Sequence, residues 1–133
     1  MAKKVIVVDD DALLAKTISI CLIRRGYEVK VFYSGVDTIG WLVEEKPDLL
    51  VLDIKLPDCD GWFIAKLLKR IRLGEEVPLI VISALEPDRA KVIEIKPYAY
   101  IQKPFNMEQL MKTVEKSLSG EKKPCQCVTY WIP

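Results

Sequence analysis

The sequence contains no histidine among its 133 residues. No imidazole of this chain can therefore serve as a general base, a nucleophile or a metal ligand. Any step that needs an imidazole must use one from a partner molecule.

The chain has little net charge and no long hydrophobic run. Its 20 basic and 19 acidic side chains leave a net charge of +1, which gives no global reason to expect direct contact with nucleic acid. The apolar runs are only a few residues long, too short to span a bilayer, and the start MAKKVIVV lacks the apolar segment of a secretion signal. We expect a cytoplasmic protein that binds neither a membrane nor nucleic acid.

The four cysteines are too scattered to form the disulfide framework of a small secreted domain. Cys21 falls on the inward stripe of a predicted helix and is expected in the core, and Cys59 lies in a loop. Cys125 and Cys127 lack the further thiols or imidazoles that would complete a zinc site. We therefore expect free thiols.

Short apolar runs alternate regularly with amphipathic helical patterns along the chain. The runs predict five strands, at Val5–Val8, Glu28–Phe32, Leu49–Leu52, Leu79–Ile82 and Ala99–Gln102. Strands that are apolar on both faces and separated by helices are typical of a parallel sheet covered by helices on both sides. At this length one core is enough, so we predict a single α/β domain with a doubly wound sheet.

Polar side chains collect where these strands end. Asp9 and Asp10 follow the first strand, Asp53 ends the third, Ser83 ends the fourth, and Lys103 follows the fifth. Ligands of such folds bind beyond the carboxyl ends of the strands, so these five side chains are expected to meet at one edge.

Three carboxylates in one cleft repel each other unless positive charge balances them. Mg²⁺ bound by oxygens, together with Lys103, would supply that charge, and Ser83 would add a hydroxyl donor. Such a set suits the holding of a phosphoryl group, with the Asp53 carboxylate on the central strand as the nucleophile. Asp11 immediately precedes a helical pattern and is predicted to cap that helix rather than bind metal.

The chain resembles a receiver domain of a two-component response regulator from residue 4 to about residue 119. Four motifs carry the resemblance, each at a strand end: VVDD, LLVLDIKLPDCDG, VISA and YIQKPF. The resemblance implies a flavodoxin-like sheet of order 2-1-3-4-5 within a receiver domain at 1–120. Residues 121–133 fit none of the strand and helix patterns, so we expect a tail there that is too short to be an output domain. A stand-alone receiver and a fragment of a longer regulator both remain open.

The resemblance also implies a role for each acidic residue of the site. Asp53 would be the phosphoacceptor. Asp9, Asp10, Asp53 and the backbone carbonyl of Lys55 would bind Mg²⁺, with Asp10 as a direct ligand.

For the remaining site residues, the resemblance implies catalysis and switching. Lys103 and Ser83 would assist phosphorylation, and the Lys103–Pro104 peptide bond would be cis. On phosphorylation Ser83 would bond to the phosphoryl group and Tyr100 would turn inward. The surface of the fourth helix, fifth strand and fifth helix would then change.

The family receives its phosphoryl group from a histidine of a sensor kinase or phosphotransfer protein. By this resemblance the chain would be no enzyme toward other molecules, because it would catalyse only its own phosphorylation and dephosphorylation. A homodimer through the face of the fourth helix, fifth strand and fifth helix is a further expectation.

Three alternative functions make different demands on these residues. A dinucleotide-binding oxidoreductase needs glycines in the first turn after a strand, and DDDALL has none. A phosphatase that forms an aspartyl-phosphate typically has a carboxylate two residues after the nucleophile, where this chain has Lys55. The third is an interaction module that has the fold but is not phosphorylated, and the complete set of site residues argues against it.

One segment departs from the family pattern. The interval between Ser83 and Lys103 is short, and it contains IEIKPYAY in place of the usual approach to the fifth strand. Pro97 cannot lie inside a helix. We therefore expect a fourth helix that is short or displaced.

Overall fold

The computed structural model describes residues 2–73 and 75–121 of the chain. Strands and helices alternate through this whole range. In chain order they are β1 (Lys4–Val8), α1 (Ala12–Arg24), β2 (Glu28–Phe32), α2 (Gly35–Glu44), β3 (Leu49–Asp53), α3 (Gly61–Ile71), β4 (Leu79–Ser83), α4 (Arg89–Ile95), β5 (Ala99–Gln102) and α5 (Met107–Leu118). Of the tail predicted at 121–133, only Glu121 lies within the described residues, and Cys125 and Cys127 lie outside them.

The five strands form one parallel sheet in the order β2-β1-β3-β4-β5. The predicted doubly wound, flavodoxin-like fold is therefore confirmed. The central strand β3 and its neighbour β4 are buried along their whole length. The edge strand β2, in contrast, exposes Glu28 and Lys30. The winding reverses between β1 and β3, which places the ligand-binding edge of this fold beside Asp9 and Asp53.

Each face of the sheet has its own hydrophobic core. Alternate strand residues such as Ile6 and Leu50 pack against α2, α3 and α4, while their neighbours Val5 and Leu49 pack against α1 and α5. Burial on both faces explains why these strands are continuous apolar runs and lack alternation. Cys21 is only half-buried, at the margin of the core beside α1 and α5.

The cap geometry at the two ends of α1 explains where this helix begins and ends. The N–H of Leu14 donates to Asp11 Oδ1 at 3.1 Å, so Asp11 is the N-cap of α1, as expected. Beyond the other end of α1, Gly26 adopts φ +91°, a conformation that glycine reaches without strain.

The fourth helix is short, as the sequence indicated. It has seven residues and ends at Ile95, after which Lys96 adopts φ 54° and Pro97 follows. The proline ring disfavours the α-helical conformation in the residue that precedes it, so the helix ends before Lys96.

Among the described residues, no helix combines the length and apolar character needed to cross a membrane.

Gly61 opens α3 in close contact with the backbone that leaves β3. A Cβ at this position would lie 2.5 Å from the carbonyl oxygen of Asp53 and 2.6 Å from Ile54 Cα. Backbone atoms cannot yield as the end of a flexible side chain can. The Gly61→Ala variant should therefore lower the free energy of unfolding by about 1–3 kcal/mol, measured by urea denaturation.

The matched control is Gly40→Ala inside α2. Among the described residues, no neighbouring atom lies within 4 Å of a Cβ at position 40 beyond the helix's own backbone. Alanine should raise stability there by about 0.5–1 kcal/mol through its higher helix propensity. Equal effects of the two substitutions would contradict the packing described for Gly61.

Candidate functional site

The structure brings the predicted ionic residues together at the carboxyl edge of the sheet. Lys103 Nζ donates to Asp9 Oδ2 and to Asp53 Oδ2, each at 2.8 Å. One carboxylate oxygen from each of Asp9, Asp10 and Asp53 lies within 4.8 Å of the others. The residues at the ends of β1 and β3 and in the segment after β5 thus form one compact cluster.

Asp9 is the most buried member of this cluster, with no exposed surface. Its N–H donates to the Phe32 carbonyl at 3.1 Å, and its Oδ1 accepts the N–H of Asp11 at 2.9 Å. Burial raises the pKa of Asp9 above its usual range, although its hydrogen bonds to Lys103 and Asp11 oppose the rise.

Burial and hydrogen bonding also compete in setting the pKa of Lys103, but here the hydrogen bonds prevail. Burial by itself would lower the pKa of the Lys103 ammonium, but hydrogen bonds to Asp53 and Asp9 outweigh burial and hold that pKa above its usual range. Lys103 therefore stays positively charged at neutral pH. The Lys103–Pro104 peptide bond is cis, as the resemblance implied.

Asp53 is nearly buried at the end of the central strand β3. Its Oδ1 accepts the N–H of Lys55 at 3.1 Å, which fixes the first turn of the loop that follows. Two backbone contacts join the start of this loop to its end. Lys55 pairs with Asp60 in an isolated antiparallel bridge, and the N–H of Gly61 donates to the Ile54 carbonyl at 2.7 Å. The Lys55 backbone, which carries the predicted carbonyl ligand, is thus held beside Asp53.

A cleft of about 330 Å³ opens over these residues, lined by Asp10, Asp53, Lys55, Leu85 and Lys103 among others. Liquid water occupies about 30 Å³ per molecule, so the cleft has room for a phosphoryl group and a hydrated cation. Its acidic residues offer only oxygen ligands, the kind that Mg²⁺ prefers. In the acidic cluster itself, the carboxylates of Asp9, Asp10 and Asp53 outnumber the one ammonium that bonds to them among the described residues, that of Lys103, so the residues present fit a divalent cation.

Ser83 lies at the same edge but is fully buried. Its Oγ accepts the N–H of Leu85 at 3.0 Å, and its backbone carbonyl accepts the N–H of Lys103 at 2.7 Å. The Ser83 side chain also hydrogen-bonds with Tyr100, which opposes the rise that burial causes in the pKa of the Tyr100 hydroxyl. Ser83 is therefore bonded to Leu85 and Tyr100 in this conformation.

Tyr100 differs from the expectation. The resemblance implied that this ring turns inward on phosphorylation, but in this conformation it is already inward, with 1% of its surface exposed. The Tyr100 hydroxyl donates to the Leu85 carbonyl at 2.8 Å, and its ring stacks on Trp62 with centroids 6.3 Å apart. These contacts and the burial of the ring hold it in the inward orientation.

Sequence reasoning missed two residues beside the site. Trp62 contacts Tyr100 from the first turn of α3, and Asp58 reaches the start of α2 from the loop after Asp53. Both contacts join segments that are far apart in the chain, so no local spacing indicated them. The stretch DCD at 58–60 gave the only local signal. It has two carboxylates, and the helix that follows directly needs only one of them as its N-cap.

Comparison with known proteins gives consistent matches to one family. The family model for the response regulator receiver domain matches residues 5–115. A CheY-like response regulator receiver domain from Methanospirillum hungatei is 25% identical, with a TM-score of 0.84 over 92% of this chain and 98% of the other.

Response regulator DrrB of Thermotoga maritima, described as an OmpR/PhoB homolog, is 35% identical, with a TM-score of 0.81. The match covers 92% of this chain and 55% of DrrB, so this chain spans about half the length of that protein. The BeF₃-activated DrrB receiver domain alone is also 35% identical, with a TM-score of 0.79 over 90% of this chain and 99% of that domain.

Replacing Lys103 tests the charge balance of the cluster. The Lys103→Gln variant should lower the free energy of unfolding by about 3 kcal/mol, because it leaves Asp9 and Asp53 close together without their shared cation. The loss should shrink as the pH is lowered, since protonated carboxylates need no counter-charge. Urea denaturation across a pH series measures both effects.

Lys112→Gln provides the matched control. Lys112 pairs with Glu108 at 3.4 Å, but both side chains are 71% exposed. Its removal should change stability by no more than about 0.5 kcal/mol. Equal losses from the two substitutions would show that the Lys103 cluster contributes no more than a surface ion pair.

Proposed function

Because the chain belongs to the response regulator receiver domain family, we propose that Asp53 accepts a phosphoryl group from a phosphohistidine of a sensor kinase or phosphotransfer protein. The observation that carries the proposal is the position of Lys103 Nζ, 2.8 Å from both Asp9 and Asp53, beside a cleft that also contains Asp10. A lysine shared by two carboxylates gives the charge balance that phosphoryl transfer requires. The absence of histidine from the chain is consistent with a donor imidazole on the partner.

In the proposed reaction, a carboxylate oxygen of Asp53 attacks phosphorus while the bond from phosphorus to the donor nitrogen breaks. The donor imidazole leaves with the electron pair of that bond and takes a proton from solvent. Lys103 would contact the phosphoryl oxygens, and Asp9, which accepts a hydrogen bond from Lys103 Nζ, would keep the lysine charged and oriented. Asp9, Asp10, Asp53 and the Lys55 carbonyl would hold Mg²⁺, whose charge would neutralise the same oxygens.

The reaction makes the chain a substrate of its kinase and a catalyst only of its own phosphorylation and dephosphorylation. The protein would act in the cytoplasm, where the kinase presents its phosphohistidine. The complete acidic set with its lysine favours this role over that of an interaction module that is never phosphorylated.

The proposed response begins at Ser83. A phosphoryl group on Asp53 would draw the Ser83 hydroxyl away from the N–H of Leu85 to form a new hydrogen bond. The Leu85 carbonyl accepts a hydrogen bond from the Tyr100 hydroxyl, and Tyr100 lies on β5, so a movement of Leu85 would be passed to β5 directly. Since Tyr100 is already inward, phosphorylation would stabilise an existing orientation and alter the face formed by α4, β5 and α5 through a population shift. An output partner or a second copy would bind that face.

Phosphorylation at Asp53 is tested with radiolabelled acetyl phosphate and Mg²⁺. Wild-type protein should acquire a Mg²⁺-dependent label that is lost in strong acid, in base and with hydroxylamine, the behaviour of an acyl phosphate. Asp53→Asn should remove the label without unfolding the protein, because an amide of the same shape cannot attack phosphorus. Label that survives in Asp53→Asn, with Asp9 and Asp10 unchanged, would contradict the assignment.

Metal binding is tested by thermal unfolding with and without Mg²⁺. A ligand present at 100 times its dissociation constant stabilises the folded state by about 2.7 kcal/mol. The Asp10→Asn variant should lose most of this response, because its carboxylate is exposed in the acidic cluster. Asp11→Asn should retain the response, since Asp11 caps α1 and asparagine is also a good N-cap. Equal loss in both variants would rule out the proposed ligand set.

A further inference from the structure

The carboxylate of Asp58, in the loop between β3 and α3, accepts hydrogen bonds from the N-terminus of α2. Its Oδ1 accepts the N–H of Gly35 at 2.7 Å, and its Oδ2 accepts the N–H of Val36 at 2.8 Å. The next N–H of α2, from Asp37, is bonded to Ser34 Oγ at 3.3 Å. Two of the first three N–H groups of α2 are therefore bonded by a side chain from the loop between β3 and α3. These bonds lower the pKa of Asp58, so it is ionised at neutral pH.

A glycine and a cysteine bring the same two segments into direct contact. A Cβ at position 35 would overlap Cys59 Sγ and would lie 3.3 Å from Asp58 Oδ1. Cys59 packs against the core beneath α2 and α3. Only glycine at the start of α2 allows this loop to approach so closely, and that approach places the Asp58 carboxylate on the two N–H groups.

The loop in question also carries the Lys55 carbonyl of the proposed metal site. Its base is closed by its own backbone, through the bridge of Lys55 with Asp60 and the bond from Gly61 to Ile54. Its tip is attached to α2 by the carboxylate of Asp58. The bonds of Asp58 are charge-assisted, and negative charge is favoured at a helix N-terminus, so this attachment is stronger than a neutral turn would provide.

We propose that Asp58 is a positioning residue for the phosphoacceptor site, which by binding the N-terminus of α2 holds the loop with Lys55 in the geometry that Mg²⁺ binding needs. Groups that orient a metal ligand typically change metal affinity 10- to 100-fold when they are removed. The inference rests on the proposed function, because it concerns the metal affinity of that site. It also makes α2 a structural partner of the site, although α2 contributes no side chain to the acidic cluster.

The first test is calorimetric titration of the full chain with Mg²⁺ at neutral pH. Asp58→Ala should raise the dissociation constant roughly tenfold or more. Asp58→Asn should raise it less, because its amide oxygen can still accept one of the two bonds. Asp37→Ala is the matched control, since it removes a carboxylate from the same turn of α2 without touching the loop after Asp53, and it should leave the constant unchanged.

The second test approaches the contact from α2. Gly35→Ala should weaken Mg²⁺ binding by displacing the loop, and Cys59→Ala in the same chain should restore binding toward the wild-type value by removing the overlapping Sγ. Thermal unfolding without metal identifies the temperature range in which each variant is folded. If Asp58→Ala does not fold, Asp58→Asn and the Gly35 pair provide the same comparison.

The outcomes separate this inference from the proposed function. Wild-type protein that binds no Mg²⁺ would overturn both. If folded Asp58→Ala or Asp58→Asn binds Mg²⁺ with the dissociation constant of the wild type, the positioning role alone would be overturned. A loss in Asp37→Ala equal to that in Asp58→Ala would likewise overturn it, because the effect would then reflect the charge or stability of α2.

Discussion

Lys103 places its ammonium 2.8 Å from an oxygen of Asp9 and 2.8 Å from an oxygen of Asp53, and these bonds join the ends of β1 and β3 to the segment after β5. The sheet order makes the contact available, because β1 and β3 are neighbours and their carboxyl ends lie at one edge. Without the lysine, two largely buried carboxylates would repel each other. The Lys103 ammonium thus allows acidic residues to collect at the edge where the proposed phosphoryl transfer would need a nucleophile and a metal.

Around this ion cluster, the surrounding loops hold the site through backbone contacts. Gly61 lies against the end of β3, and Asp58 bonds the loop to α2. On the other side, the backbone of Leu85 accepts Tyr100 and donates to Ser83. The conformational response proposed above can spread from the cluster toward β5 through Leu85, while the Asp58 contact keeps the opposite side fixed.

Local patterns in the sequence were enough to predict the five strands, their common edge and the cap at Asp11. Hydrophobic spacing and cap residues act within a few positions, so they can be read directly from the chain. The orientation of Tyr100 and the reach of Asp58 could not be predicted in this way. Tyr100 depends on Trp62 and Leu85, and Asp58 depends on Gly35, a residue 23 positions earlier. Such contacts exist only after the sheet has brought distant segments together.

Chemical trapping of the modified residue tests the central claim most directly. The full chain would be treated with acetyl phosphate and Mg²⁺, reduced with borohydride, and digested for peptide mass spectrometry. Hydride reduces an acyl phosphate to an alcohol, so the phosphorylated aspartate becomes homoserine. Our account predicts homoserine at position 53, with Asp9 and Asp10 unchanged. Homoserine at another aspartate, or none in protein shown to bind Mg²⁺, would contradict it.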